Sequence, residues 1–443
     1  MAFERQTADE MQDPGFWRCT LCAASVNVPA PDRSKVCFVD KAWLVLKLGG
    51  TSGRGRQQWE TIMSLATQRL EAGNRVLLVC SAVSGVTNAL QALVNRAQDY
   101  ELQEIDSILQ THRLLAEDLG IKSEDLLEQA GGEITRLLGE VAESGELDAG
   151  YAAMANLLSI GEWLSTRIGE RYLANRLDIK WVDARQVLRA SPETDTNGRR
   201  SRFSARCASG IDKPLLIEWQ KMPALLITQG FVAKHPGGGT ALLGRGGSDT
   251  SAALLASRVG ARHIEIWTDV PGLFSADPRV IRDARLLQVL HYDEALEMAA
   301  SGAKVVHSRC IRAAADAEIP IHVRDLSRPE FAGTTIRSGK VSALEGIRAV
   351  CHQPNMAVLL LQNLDTREHV GFLAWVFSQI AAAEVSVDLV ATSETTKTLA
   401  INRTTNHLDD KTLEKLTERL RERCAVTVHP SCSGINLVGR GAR

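Results

Sequence analysis

Short, unbroken apolar runs alternate along residues 43–325 with stretches whose apolar residues recur three and four apart. That alternation predicts strands buried on both faces, each followed by a helix. WLVLKL (43–48) and RVLLVC (75–80) read as strands around a helix at 57–72, a βαβ unit with a right-handed crossover. From 86 to 119 the helical spacing continues through Ile105, Leu109, His112, Leu115 and Leu119, with His112 read as a face residue, and two more helical stretches reach Ala174. Strand-like runs return at 178–183, 224–231, 263–270 and 320–325, between helical stretches at 249–259 and 292–302. The expectation is an α/β, three-layer fold with a mainly parallel sheet. Ligands of such sheets sit beyond the carboxyl ends of strands. Gly49-Gly50, Ser81, Gln229-Gly230-Phe231 and Thr268-Asp269 all follow strands and are expected to meet in one crevice.

Past a turn at Gly333 the pattern shortens to βαββαβ: strands at 356–362, 387–394, 397–403 and 425–430, and helices at 371–383 and 409–423. This predicts an α+β module of the ferredoxin-like kind. INLVGRG (435–441) reads as a further strand without partners in its own sequence, so a second unit is expected to be incomplete or completed by another chain. The division is therefore an extension at 1–40, aperiodic and expected to be disordered, a body at 41–340 and the module region at 341–443.

A formal net charge of -2 gives no global basic field, so neither nucleic acid nor a membrane surface is expected as partner. No apolar run reaches bilayer length, and Glu4, Asp9, Glu10 and Asp13 stand where a signal peptide needs apolar residues, so a cytoplasmic location is expected. The nine cysteines are scattered and expected to be reduced; Cys19 and Cys22 have zinc-knuckle spacing but lack a matching second pair, so a fortuitous pair is favoured over a metal site.

LLGRGGSDTSAALLA (242–256) combines glycines, a cation, hydroxyls and a carboxylate before an apolar helical run. Glycine lets backbone approach a ligand closely, a helix opening presents N–H groups to anions, and Arg245 offers a planar fork for a carboxylate or phosphate. An ordinary Gly-rich turn capped by Ser248 or Asp249 has the same composition. KLGGTS (47–52) places Lys47 before its glycines, the reverse of a P-loop, so the lysine would point into the crevice from the strand. A βα turn capped by Ser52 is the plainer alternative.

KLGGTS, SAVSGVTNAL (81–90), GEWLSTRI (161–168), ITQGFVA (227–233), LGRGGSDTSAA (243–253), IWTDVPGLFSADPR (266–279) and GAKVVHSR (302–309) stand in the order found in aspartate kinases of the amino-acid kinase superfamily. The chain resembles that family from 43 to about 440, and the module resembles the ACT domains that regulate it. The resemblance implies phosphoryl transfer from ATP, with Mg2+, to the β-carboxylate of L-aspartate. A carboxylate nucleophile is already ionised at neutral pH. Cations rather than a base should therefore dominate the crevice, and Lys47, Arg245 and Lys304 are those expected.

By matching position, the resemblance makes Lys47 and Asp249 the catalytic pair, with Asp249 ordering Mg2+ or Lys47. It assigns Ser81, Thr87, Glu162, Phe231, Arg245, Gly246 and Ser248 to the amino acid, with Arg245 on its α-carboxylate and Glu162 on its ammonium. The nucleotide falls to Gly49, Gly50, Thr51, Ser52, Thr268, Asp269, Phe274, Asp277, Arg279 and Lys304. Phe372, Leu373, Val387, Asp388 and Ser393 match the positions that hold lysine or threonine as effector at a subunit interface, implying a homodimer or larger assembly. Leu48, Ile160, Phe274 and Ser308 depart from the usual residues, though none removes a needed charge. Related alternatives are another carboxylate kinase, such as an acetylglutamate kinase, and a silent amino-acid sensor. The kinase half of a fusion to diaminopimelate decarboxylase is a further reading of the same similarity.

Overall fold

The computed structural model describes residues 41–144, 148–192, 198–303, 305–339, 346–362, 371–406 and 408–439. The 1–40 extension, Cys19, Cys22 and Lys304 therefore lie outside the described residues. The body has strands β1 (Trp43–Leu48), β2 (Arg75–Cys80), β3 (Ile179–Trp181), β4 (Leu225–Gln229), β5 (Val232–Lys234), β6 (Thr240–Leu242), β7 (His263–Thr268), β8 (Val289–His291), β9 (Ile321–Asp325) and β10 (Thr334–Arg337).

Eight of these form one sheet in the order β3-β4-β2-β1-β7-β9-β10-β8. Every neighbouring pair is parallel except β9 with β10. The apolar runs of β1 and β2 follow from this arrangement, because a central parallel strand is covered on both faces. Leu44, Leu46 and Leu48 enter the core under helices Arg56–Glu71, Val86–Asn95 and Ile160–Ala174, while Trp43 and Val45 enter the opposite core with helix Gly247–Val259. Each such side chain contributes about 1.5–3 kcal/mol on burial. Lys47 is the one residue of β1 that is not fully buried, and it points to the second face. Charge joins helix to sheet as well: buried Glu265 on β7 accepts Arg69 from helix Arg56–Glu71 and the Trp267 indole N–H.

Three helices rather than two follow residue 120: Glu124–Ser144, Asp148–Leu158 and Ile160–Ala174, the last two parted only by Ser159. Periodicity runs through such a one-residue break without marking it. His112 is fully buried, its Nδ1 2.9 Å from the Ile108 carbonyl, as a core-facing helix residue. The β5–β6 hairpin and the strands β8 and β10, three or four residues each, are too short to show a period.

The module consists of β11 (Ala349–Gln362), β12 (Leu389–Thr392), β13 (Thr396–Asn402) and β14 (Ala425–Val438) with helices Phe372–Ala382 and Asp410–Arg421. Its sheet, β12-β13-β11-β14, is antiparallel throughout, the ferredoxin-like order expected. One expectation is overturned here. Ile435–Val438 is not an unpartnered strand; it is the second half of β14, with Val438 opposite Ala349 and Ile435 opposite His352. β11 begins seven residues earlier than its alternating pattern suggests, because Pro354 and the positive φ of Asn355, 61°, interrupt the ladder between Gln353 and Met356. The long β11–β14 ribbon thus belongs to two cores. Ala357, Leu359 and Leu361 pack in the module, whereas Ala349, Cys351 and Val438 pack in the body.

The six described cysteines are free thiols. Among the described residues no helix is long and apolar enough to cross a membrane.

Candidate active site

β4, β2, β1 and β7 are consecutive and parallel, so their carboxyl ends form one edge, and backbone hydrogen bonds lace that edge together. Gly230 N–H donates to Cys80 O at 2.8 Å, Ser81 N–H to Leu48 O at 3.1 Å, and Gly49 N–H to Trp267 O at 3.3 Å. The four segments expected to converge do so. The Gly49 amide closes β1 onto β7. Gly50 sits hard against the turn after β2, where an added Cβ would lie 2.8 Å from Ala82 O.

Helix Gly247–Val259 meets this edge with its N-terminus. Its cap is Gly246 in the left-handed region (φ 62°), so neither Ser248 nor Asp249 is the cap; both lie inside the first turn. The unpaired first-turn amides give that end partial positive charge. Lys47 Nζ reaches across from β1 to Asp249 Oδ1 at 2.6 Å, each side chain about one-eighth exposed. Lysine, carboxylate and helix opening are therefore one cluster. Arg245, exposed, stands on the loop just before the cap.

Phe231 covers the first glycine of the helix, where a Cβ on Gly247 would lie 2.4 Å from its ring. Phe231 itself has φ 72°, held by its N–H to Ser251 Oγ at 2.8 Å and its carbonyl to Leu243 N–H at 2.8 Å. Gly230 faces Ser248: a Cβ there would stand 2.7 Å from the Ser248 Cβ. Ser251 escaped sequence assignment, and the sequence places Gly230 at the crevice without a role, although both lie inside motifs already singled out.

Across the edge, Glu162 is buried in helix Ile160–Ala174. Burial pushes its carboxyl up to about 8 against the pull of the Ala82 N–H, which it accepts. Its Oε2 has no hydrogen-bond partner. The neighbouring Ser165 donates to Ser81 O at 2.8 Å, tying this helix to the turn after β2, and Thr87 is half-buried on the next helix.

On the β7 side, Thr268 donates to Asp269, which is exposed. Phe274 is half-buried and bridges to Leu286 in the following loop. Asp277 and Arg279 grip one another at 2.8 Å, and the guanidinium holds the Asp277 carboxyl below the usual carboxylate range. Ser52 is not a helix cap, since helix Arg56–Glu71 starts beyond Gly55; it is buried and donates to Trp267 O at 3.3 Å. Thr51 is half-buried beside it.

In the module, Phe372 is a core residue. Asp388 Oδ2 accepts the Asn402 N–H at 2.7 Å, and Ser393 accepts the Thr396 N–H, so both have local structural duties. Leu373 is exposed and Val387 half-buried.

Residues 42–325 match the amino acid kinase family. The lysine-sensitive aspartokinase 3 of Escherichia coli is 34% identical over 403 residues, 89% of this chain and 87% of that protein. Aspartokinase 1, chloroplastic, of Arabidopsis thaliana is 29% identical, covering 89% of this chain and 70% of that one. Among solved structures, E. coli aspartokinase III with aspartate and ADP superposes with TM-score 0.71 at 32% identity, over 89% of this chain and 87% of the other. The same enzyme with lysine and aspartate gives 0.68 over the same shares. With the parallel sheet, the convergent strand ends and these matches together, the chain belongs to the amino acid kinase family and, within it, to the aspartokinases.

Proposed function

We propose that the chain transfers the γ-phosphoryl group of ATP to the β-carboxylate of L-aspartate, with lysine as its feedback effector. The observation that carries the amino-acid half is the unpartnered Oε2 of buried Glu162. A buried carboxylate without a counter-charge is costly. A ligand ammonium arriving there relieves that cost. This favours a free amino acid over an N-acylated one, and so aspartate over acetylglutamate. Arg245 is the group for the α-carboxylate at the other end.

The phosphoryl half rests on Lys47, Asp249 and the opening of helix Gly247–Val259. Two anions must approach in line, and no proton need be removed from the nucleophile. Lys47 Nζ is placed to share its charge between Asp249 and the transferring oxygens, and the first-turn amides add to it. Thr268, Asp269, Phe274, Asp277, Arg279 and Lys304 are proposed for the nucleotide. Among the described residues no cluster of three or more His, Cys, Asp or Glu could hold a metal. Mg2+ fits as an ion carried by nucleotide phosphates, with Asp249, beside Lys47, the carboxylate at hand. When bound it neutralises phosphate charge.

Lysine is proposed as effector because the E. coli relative bears that sensitivity in its name and was solved with lysine. The exposed β12 edge with Leu389 and Val390 suits pairing with a second copy. The test is purified chain with ATP, Mg2+ and L-aspartate, acyl phosphate being trapped by hydroxylamine, beside N-acetylglutamate. Aspartyl hydroxamate is expected from the wild type, and Lys47→Ala should lower kcat by about 10²–10³-fold. Hydroxamate from N-acetylglutamate alone would end the proposal.

A further inference from the structure

The loop that carries Arg245 is braced from outside the site. Arg309, on helix Ser308–Asp316, sends one guanidinium nitrogen to Leu243 O and another to Ala205 O. Gly244 is beside it, where an added Cβ would stand 3.5 Å from the Arg309 Nη1. Two residues earlier, the His307 side chain fills the space behind Gly246: a Cβ on that glycine would fall 2.3 Å from the imidazole Cγ. His307 is in turn fixed by accepting the Arg309 N–H at its Nδ1, 3.2 Å. Burial pushes the imidazole pKa down, and the Arg309 and Arg245 guanidiniums add to that against the pull of Asp249. The 307–309 segment therefore grips the 243–246 loop at both ends.

We infer that Arg309, with His307, is a positioning residue that sets the affinity of this site for the carboxylate end of its amino-acid substrate. The inference rests on the aspartate kinase reading for its substrate, but not for its geometry. Loosening the loop should leave phosphoryl transfer largely intact. Helix Gly247–Val259, which carries Asp249, is held beyond the loop by Ala252, Ala253, Leu255 and Ala256, all fully buried in the core they share with Cys310, Ile311 and Ala314, and removing the Arg309 guanidinium leaves that packing in place. The brace acts on Arg245 instead, and a clamp displaced by an ångström binds far more weakly.

Arg309→Ala and Arg309→Lys are compared with wild type and with Arg312→Ala, an exposed arginine on the same helix. KM and kcat are read in the hydroxamate assay, and amide hydrogen exchange is read over 243–251. Arg309→Ala should raise KM for L-aspartate at least about tenfold, with kcat within about twofold and KM for ATP unchanged. It should also speed loop exchange. Arg309→Lys, unable to span both carbonyls, should fall between and serves alone if the alanine variant does not fold. Unchanged KM for aspartate, equal losses in kcat and both KM values, or an effect matched by Arg312→Ala would overturn the inference. Should the wild type yield no aspartyl hydroxamate, the substrate reading falls. The brace then stands or falls on the exchange rates.

Discussion

Glu162, proposed for the substrate ammonium, is also where protonation and stability meet. Its carboxyl, ordinarily near 4.5, is raised to about 8 by burial, so the ligand-free fold holds this proton more tightly than the unfolded chain does. Stability then falls with rising pH between those two values, because the folded state binds more protons there. Its contribution is greatest below about 4.5 and is lost by about 8. Glu162→Gln keeps the shape and removes the titration. The variant should show a higher Tm than wild type at pH 8.5 without ligand, together with a KM for L-aspartate raised about tenfold or more. Thermal melts across pH 6 to 9 check this, and parallel curves for the two proteins would contradict it. The acid was legible in the sequence as a member of GEWLSTRI, but the state of its carboxylate was not, since only the fold determines that the Ala82 N–H and its own N–H reach the carboxylate while Oε2 has no hydrogen-bond partner among the described residues.

At the scale of elements, the site depends on how closely helix Gly247–Val259 approaches the end of β4. Glycine at 230 allows that approach, since a methyl group there would overlap the Ser248 Cβ at 2.7 Å and its Cα at 2.9 Å, the latter backbone that cannot turn aside. Gly230→Ala should push the helix opening off the strand edge and separate Asp249 from Lys47. The expected outcome is a loss of kcat/KM above about 10²-fold with about 1–3 kcal/mol of stability. Urea titration beside the hydroxamate assay measures both. A fully active variant would mean that the approach is not needed. The same element shows what patterning reveals and what it hides. Continuous apolar runs placed β1, β2, β4 and β7 correctly because buried parallel strands leave that signature, and their shared carboxyl edge followed from the βα alternation. Close approaches such as Gly230 to Ser248, and the use of the Gly49 amide to bind Trp267 O, depend on contacts between residues far apart in the chain and leave no local period.

Across the whole molecule, the β11–β14 ribbon runs from the module into the body, and it is the part the sequence hid most completely. An irregularity at Pro354-Asn355 made one strand look like a later start, and the same irregular pairing made the end of β14 look like a separate strand. Joined, these strands carry the module's sheet into the body. Val350 N–H donates to Ser275 O at 2.8 Å, inside the loop proposed for the nucleotide, and Gln353 Nε2 donates to Ala300 O at 2.7 Å. Arg348, at the root of the ribbon, pairs at 3.0 Å with buried Glu294 and donates to Val289 O. An effector that shifts the module can alter the nucleotide loop only through contacts that differ between two states, and these are among such contacts in the described residues. Arg348→Ala leaves Glu294, among the described residues, with the His291 N–H. Because Arg348 is about one-fifth exposed, the destabilisation should be about 1–3 kcal/mol rather than the full cost of breaking a buried pair. Basal kcat should stay within about threefold, while the lysine concentration for half-inhibition rises about tenfold, a coupling loss of about 1.4 kcal/mol. Steady-state inhibition curves for the two proteins decide it: superimposable curves would place the route elsewhere, and a parallel collapse of basal activity would show that Arg348 supports the body and not the connection.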